Sequence, residues 1–260
     1  MALDVTIRVS VREQLGVIWH TQMSTKERDW LLKGFDCLKN TDDPINELLN
    51  LSASVNRQIQ SDVTFSALGH CSSSELVRIA LVLEVLVSHQ ELSFKKLAKA
   101  YYQYGDSQEK CALLKGFDVF DNNGEALDTA LRATRCNSRE EFAALALNNA
   151  YPSKHFEELN FNQLVLKALH QGLDISNLLG LPQRINEALV NMCFSYVVEQ
   201  ALAERIPPAS IWMAIRYTDL SDEHKLVFKK YCQHFIDRDK GHEDHIRAQI
   251  ELQGIQNVPM

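Results

Sequence analysis

Residues 72–87 read SSSELVRIALVLEVLV, and this stretch decides the fold class. Ser72 followed by Glu75 has the form of a capping box, in which two side chains satisfy backbone N–H groups at the start of a helix. Leu76, Ile79, Ala80, Leu83, Leu86 and Val87 then keep one apolar stripe at helical spacing. Val77, Leu81, Val82 and Val85 make the remaining sides apolar too, which predicts a helix at the centre of the molecule.

The same signals recur outward from this helix. Ser24-x-x-Glu27 and Ser138-x-x-Glu141 have capping-box form, and Asn160-x-x-Gln163 is a close variant. Ile185, Ala188, Leu189, Met192 and Tyr196 form a stripe in a helix expected to stop before Pro207-Pro208. Pro208 suits the first position of a further helix that buries Ile211, Trp212 and Ile215. Another helix, from Ser221, carries Val227, Tyr231, His234 and Phe235 on one side. Residues 5–11 read two ways. Val5, Ile7, Val9 and Val11 alternate with polar residues as in a strand, whereas Leu3, Ile7, Val11, Leu15 and Ile18 fit a helical stripe. No second alternating run offers a lone strand a partner, so the helix is favoured.

The expected fold is therefore all-α, one helical domain over residues 1–260. The turn cluster Asp118–Asn123, with Asp121-Asn-Asn-Gly124, divides it into an N-terminal helical half, 1–120, and a C-terminal half, 121–260. Leu31-Leu-Lys-Gly-Phe-Asp36 recurs as Leu113-Leu-Lys-Gly-Phe-Asp118, 82 residues later. That offset suits stacked helical hairpins in a solenoid-like (HEAT-like) array. It suits equally well a coincidence between two similar buried helices.

Composition bounds the function. The chain of 260 residues is 45% hydrophobic with 10 Gly and 6 Pro, which excludes disordered and collagen-like classes. Its 27 basic and 34 acidic residues give a net charge of −7 without clusters, which disfavours nucleic acid and anionic lipid as partners. The longest apolar run, Ile79–Val87, is nine residues with Glu84 inside it, short of the roughly 20 that a membrane span needs. The first residues, MALDVTIRVS, lack the basic and continuous apolar regions of a signal peptide. Cys37, Cys71, Cys111, Cys136, Cys193 and Cys232 are scattered without a CxxC pair and read as core fillers in a reducing compartment. The expected location is the cytoplasm.

No GxGxxG, P-loop, GxSxG, HExxH or DxDxDG motif occurs, so no cofactor is expected and any site is assembled from distant residues. Two segments stand out. In 160–174, Gln163, Lys167, His170 and Asp174 form a polar stripe opposite Phe161, Val165, Ala168 and Leu169. This is either an ordinary solvated face or the lining of a polar cavity completed by Asn149, Tyr151 and His155. A cavity of that kind suits a polar aromatic or carboxylated small molecule, or, in an enzyme, His155 or His170 as general base with Lys167 stabilising an anion. The second segment, YCQHFIDRDKGHEDHIRAQ, holds His234, Asp237, His242 and His245. His242 and His245 at i, i+3 are weak metal-ligand candidates, with His234 or Asp237 as a further ligand. Gly241 and the charges of 237–240 read instead as a surface turn.

Asn149-Ala-Tyr-Pro152, Phe156, Asn162-Gln-Leu-Val-Leu-Lys-Ala-Leu169, Gly180-Leu181 and Arg184-x-Asn186 resemble the signature region of the EboA family over about 135–215. Phe161 stands where that pattern has Trp, Leu164 where it has Met and Pro182 where it has Asp. The resemblance implies a helical accessory protein that traffics or processes a small secondary metabolite from cytoplasm towards periplasm. It implies other Ebo-cluster proteins as partners, including a membrane prenyltransferase-like protein that would hold it peripheral to the inner membrane. It carries Asn149, Pro152, Asn162, Gln163, Lys167, Arg184 and Asn186 over as matched positions. With Tyr151 added, the expected ligand-binding set is Asn149, Tyr151, Asn162, Gln163, Lys167, Arg184 and Asn186. Three functions follow: a metabolite- or partner-binding accessory protein, an enzyme acting on the metabolite, or a helical protein–protein scaffold.

Overall fold

A computed structural model describes residues 2–255, with side chains from Thr6 onward. Helices make up the structure, and no strand occurs among the described residues. The chain divides into two compact units, Met1–Tyr151 and Pro152–Met260.

The first unit contains α1 (Ala2–Gln22), α2 (Thr25–Asn40), α3 (Pro44–Gln58), α4 (Ser73–Ser88), α5 (Phe94–Tyr104), α6 (Ser107–Lys115), α7 (Phe117–Phe120), α8 (Leu127–Ala133) and α9 (Arg139–Ala146). The segment with two readings is helical: α1 runs through residues 5–11 and buries Leu15 and Trp19, one turn apart. The apolar stretch of 72–87 is the hub. α4 is buried at every position from Leu76 to Leu86 and packs against α1, α2, α3 and α6. The two charges inside that apolar run, Arg78 and Glu84, are buried with it.

Capping follows the expected logic in part. The Ser24–Glu27 and Ser72–Glu75 boxes both form, and Asp106 with Glu109 makes another. Ser138 accepts from the Glu141 N–H at 3.2 Å. The repeated hexapeptide adopts two structures. Its first copy continues through α2 with Gly34 inside the helix, whereas Gly116 in the second ends α6 and starts α7. The Phe120 ring lies where a Cβ on residue 116 would stand, so a side chain there would collide with it. α1 also meets α7, six helices further along, and Arg8 donates to the Phe120 carbonyl at 2.8 Å. A stack confined to neighbouring hairpins would not make that contact. The 121–124 turn lies within this unit: buried Asp121 accepts from the N–H groups of Glu125 at 2.9 Å and Ala126 at 2.8 Å.

α10 (Tyr151–His155) begins at the last residue of the first unit. The second unit continues with α11 (Glu158–His170), α12 (Leu181–Arg184), α13 (Glu187–Leu202), α14 (Asp222–Ile236) and α15 (Lys240–Leu252). α11 starts earlier than the Asn160 signal suggests, with Glu157 at its N-cap. α13 buries Leu189 and Tyr196 of the expected stripe together with Val190, Cys193, Phe194 and Val197, whereas Ala188 faces outward. Pro208 sits at an N-cap, and the segment after it, Ala209–Ala214, is a tighter 3-10 helix that buries Ile211 and Trp212. Cys111, Cys193 and Cys232 are core fillers, and burial pushes the thiols of Cys193 and Cys232 up to about 12. No helix among the described residues is long and apolar enough to cross a membrane.

Candidate functional site

The polar residues of the signature segment are held in place by one another and by backbone groups. Asn149 is buried, donates to the Leu114 carbonyl at 2.8 Å and accepts from the Tyr151 N–H at 2.9 Å. Tyr151 is fully buried, donates its hydroxyl to Asp121 at 2.8 Å and packs edge-on against Phe117. Burial and the adjacent Asp121 carboxylate both push that phenol well above its ordinary range.

In the second unit, Asn162 and Asn186 exchange two side-chain hydrogen bonds of 3.1 Å. Asn186 also caps α13 by accepting from the Leu189 N–H at 2.9 Å. Arg184 donates to the Ser153 carbonyl at 2.5 Å and the Phe156 carbonyl at 2.7 Å, and its guanidinium lies 4.5 Å from the centre of the Phe161 ring. Gly180 supports the same corner. It has φ of 78°, and an added Cβ would stand 2.5 Å from Ser153 Cβ. Only glycine meets both demands without strain.

The stripe itself faces outward. Gln163 and His170 are exposed, Lys167 is half-buried, and Asp174 lies beyond the helix end, where it caps a 3-10 turn by accepting from Ser176. His170 packs its ring 4.3 Å from Tyr196, and His155 is half-buried at the end of α10. The structure thus joins Asn149 to Tyr151 and Asn162 to Asn186, while Gln163 and His170 meet solvent.

Of the ligand candidates in the histidine segment only His242 is built into the second unit's core, while Asp237, Arg238 and Lys240 are exposed. His242 is buried, accepts from the Trp212 indole N–H at 2.8 Å and is 2.8 Å from the Pro207 carbonyl. That pair of contacts defines a neutral ring protonated on Nε2. Its other support is a stacked contact with Phe235. His234 accepts from Arg238 at 2.7 Å, and His245 Nδ1 lies 2.9 Å from the Gly241 carbonyl. Among the described residues no group of three His, Cys, Asp or Glu side chains is arranged to hold a metal ion.

A concavity of about 400 Å3 opens in the first unit between α1, α2 and α4. Trp19, Leu31, Phe35 and Ala80 form its apolar floor, and Arg12, Arg28, Lys39 and Asp36 contribute its charged rim. Nothing lies within 4 Å of where a Cβ on Gly16 would stand, so that residue leaves the groove open. The charges are largely matched. Arg12 pairs with Glu84 at 2.5 Å, and Lys39 with Asp36 at 3.3 Å. Sequence reasoning does not find this groove, because its lining comes from three helices. Its one sequence signal is Glu84, a charge embedded in the apolar run of α4 that pairs with Arg12 on the groove rim.

These features define an all-α protein with a small-molecule-sized groove and a signature region whose buried Asn149 and Asn162 are hydrogen-bonded within the fold. A family model described as metabolite traffic protein EboA matches residues 23–216. The chain belongs to the EboA family, and the match reaches back to α2, well before the signature segment. Neither a curated protein nor a solved structure matches it.

Proposed function

We propose that this EboA-family protein is a non-catalytic accessory component that holds a small metabolite in the α1–α2–α4 groove. The supporting observation is the groove itself, about 400 Å3 with an aromatic and aliphatic floor under a balanced polar rim. Ligand sites typically occupy about 300–1,000 Å3 and combine an apolar lining with few polar groups. A compact, partly aromatic or prenylated metabolite with one polar end fits that lining. A net-anionic ligand gains little from Arg12 and Lys39, which already have carboxylate partners.

In this reading the protein works in the cytoplasm and hands its ligand towards the periplasm through a membrane prenyltransferase-like partner. The outward face of α11, with Gln163, Lys167 and His170, offers that partner a polar docking surface. Asn149, Tyr151, Asn162, Arg184 and Asn186 then serve the ligand indirectly, by holding the fold that carries this face.

Titration calorimetry with aromatic and prenylated metabolites tests the groove, using Gly16→Leu to fill it. Saturable binding lost in Gly16→Leu but retained in Gln163→Ala supports the proposal. Binding retained in Gly16→Leu and lost in Gln163→Ala would move the ligand to α11. Turnover by the purified protein, abolished in His170→Ala, would replace an accessory role with an enzymatic one.

A further inference from the structure

We propose a second site, for a phosphate group, at the N-terminal end of α4. It is separate from the groove and rests on different residues. A concavity of about 590 Å3 opens there, lined by Asn56, Ser73, Ser74, Arg78 and Gln108 among others. Arg78 is only 1% exposed. Among the described residues its one hydrogen bond is from Nη1 to the Asn56 side-chain oxygen at 3.3 Å, and its buried Nε has no partner.

A buried guanidinium without a counter-ion is heavily penalised by desolvation, so buried arginines are ordinarily paired. No nearby carboxylate pairs with Arg78 among the described residues. Glu75 pairs with Lys115 at 2.7 Å and holds the Ser72 N–H at 2.8 Å. Glu109 is buried and makes no ion pair with Arg78: one oxygen accepts from the Asp106 N–H at 2.7 Å, and the other has no hydrogen-bond partner. Asp62, on the cavity rim, is exposed.

The helix end supplies the complementary donors. α4 is 16 residues long, and the first N–H groups of Ser73 and Ser74 have no acceptor among the described residues. Side chains on a helix lean towards its N-terminus, which carries the Arg78 guanidinium back over the turn that holds Ser74, four residues earlier. A planar fork, two backbone N–H groups, a serine hydroxyl and the positive end of a helix dipole converge on one cavity. Donors arriving from several directions suit a tetrahedral oxyanion better than a planar carboxylate. The ligand class is a phosphate, either free or carried on a small molecule.

The test uses the full chain and inorganic phosphate, read by thermal shift and 31P NMR against chloride at equal ionic strength. Wild-type protein should show a saturable rise in Tm. Ser74→Asp places a carboxylate in the first turn, which favours the helix but repels an anion. Arg78→Met removes the unpaired charge and should leave the ligand-free protein at least as stable. Each variant should weaken phosphate binding roughly tenfold or more, the worth of one charge-assisted hydrogen bond. Tighter binding of a phosphate monoester than of inorganic phosphate would support a carried phosphate, and equal binding the free ion. No saturable response in wild type, or undiminished binding in Ser74→Asp, overturns the proposal.

Discussion

The guanidinium of Arg12 on α1 grips the carboxylate of Glu84 on α4, with Nε 2.5 Å from one oxygen and Nη2 3.2 Å from the other. Glu84 is fully buried and also accepts from Ser88 at 3.0 Å, while Arg12 is partly exposed at the groove. Truncating the main partner of a buried charge leaves that charge poorly compensated, here with only Lys39 at 3.9 Å. Arg12→Ala should therefore destabilise the protein by about 3 kcal/mol. The double variant Arg12→Met/Glu84→Leu should recover most of that loss, because it removes both charges together. Urea denaturation of these proteins together with the single variants Arg12→Met and Glu84→Leu closes the cycle, and an additive double variant would refute the coupling.

Glu27 gives a prediction in acid. Burial alone would raise its pKa, but hydrogen bonds from Ser24, Ser61 and the Gln60 and Ser61 N–H groups outweigh that and hold it down to about 2. Its ordinary value is 4.5, so the folded state binds its proton less readily than the unfolded chain. The stabilisation is complete above pH 4.5 and is lost as pH falls towards 2. Glu27→Gln should flatten this part of the stability–pH curve. Glu27→Ala, which orphans the backbone N–H groups of Ser24, Gln60 and Ser61, should cost about 3 kcal/mol at neutral pH. Chemical denaturation from pH 6 to 3 separates the variants from wild type.

His242 predicts a response nearer neutrality. Burial lowers its pKa from 6.5 even though the Pro207 carbonyl opposes the shift. The unfolded chain then takes up the proton first, so stability is full above pH 6.5 and declines as pH falls below it. His242→Leu should remove that decline and cost about 2 kcal/mol at pH 8, through the lost acceptor for the Trp212 indole N–H. Denaturation at pH 8 and pH 5.5 measures both effects, and an equal pH response in the variant would contradict them.

Much of the first unit is legible in sequence because one cause dominates there. α4 is apolar on all sides, and an all-apolar helix can only be central. The ambiguity at residues 5–11 resolves through Leu15 and Trp19, whose burial one turn apart extends the helical period beyond the alternating segment. The two copies of the repeat diverge in structure: Gly34 and Gly116 sit in the same hexapeptide but meet different neighbours, and only Gly116 faces a phenylalanine ring. The candidate site is less legible. A polar residue in a pattern is equally consistent with binding a guest and with satisfying a neighbour, and Asn162 does the latter through Asn186. The groove escapes notice because tertiary contacts bring its walls together.

The signature segment yields a contrast between adjacent residues. Asn162→Ala should lose about 1–2 kcal/mol, because it breaks the reciprocal pair and leaves Asn186 Nδ2 short of an acceptor. Gln163→Ala, on the exposed side of the same helix, should stay within about 0.5 kcal/mol of wild type. If α11 docks a partner, the second substitution alone should weaken capture of the prenyltransferase-like protein without lowering Tm. Thermal denaturation beside co-purification distinguishes fold support from docking.

Because α4 is enclosed from Leu76 to Leu86 and forms a wall of both concavities, it serves as a common reporter. Deuterium uptake along its backbone should slow when either cavity fills. A single peptide spanning this helix would therefore register two chemically unlike guests, one at Ala80 and the other at Arg78.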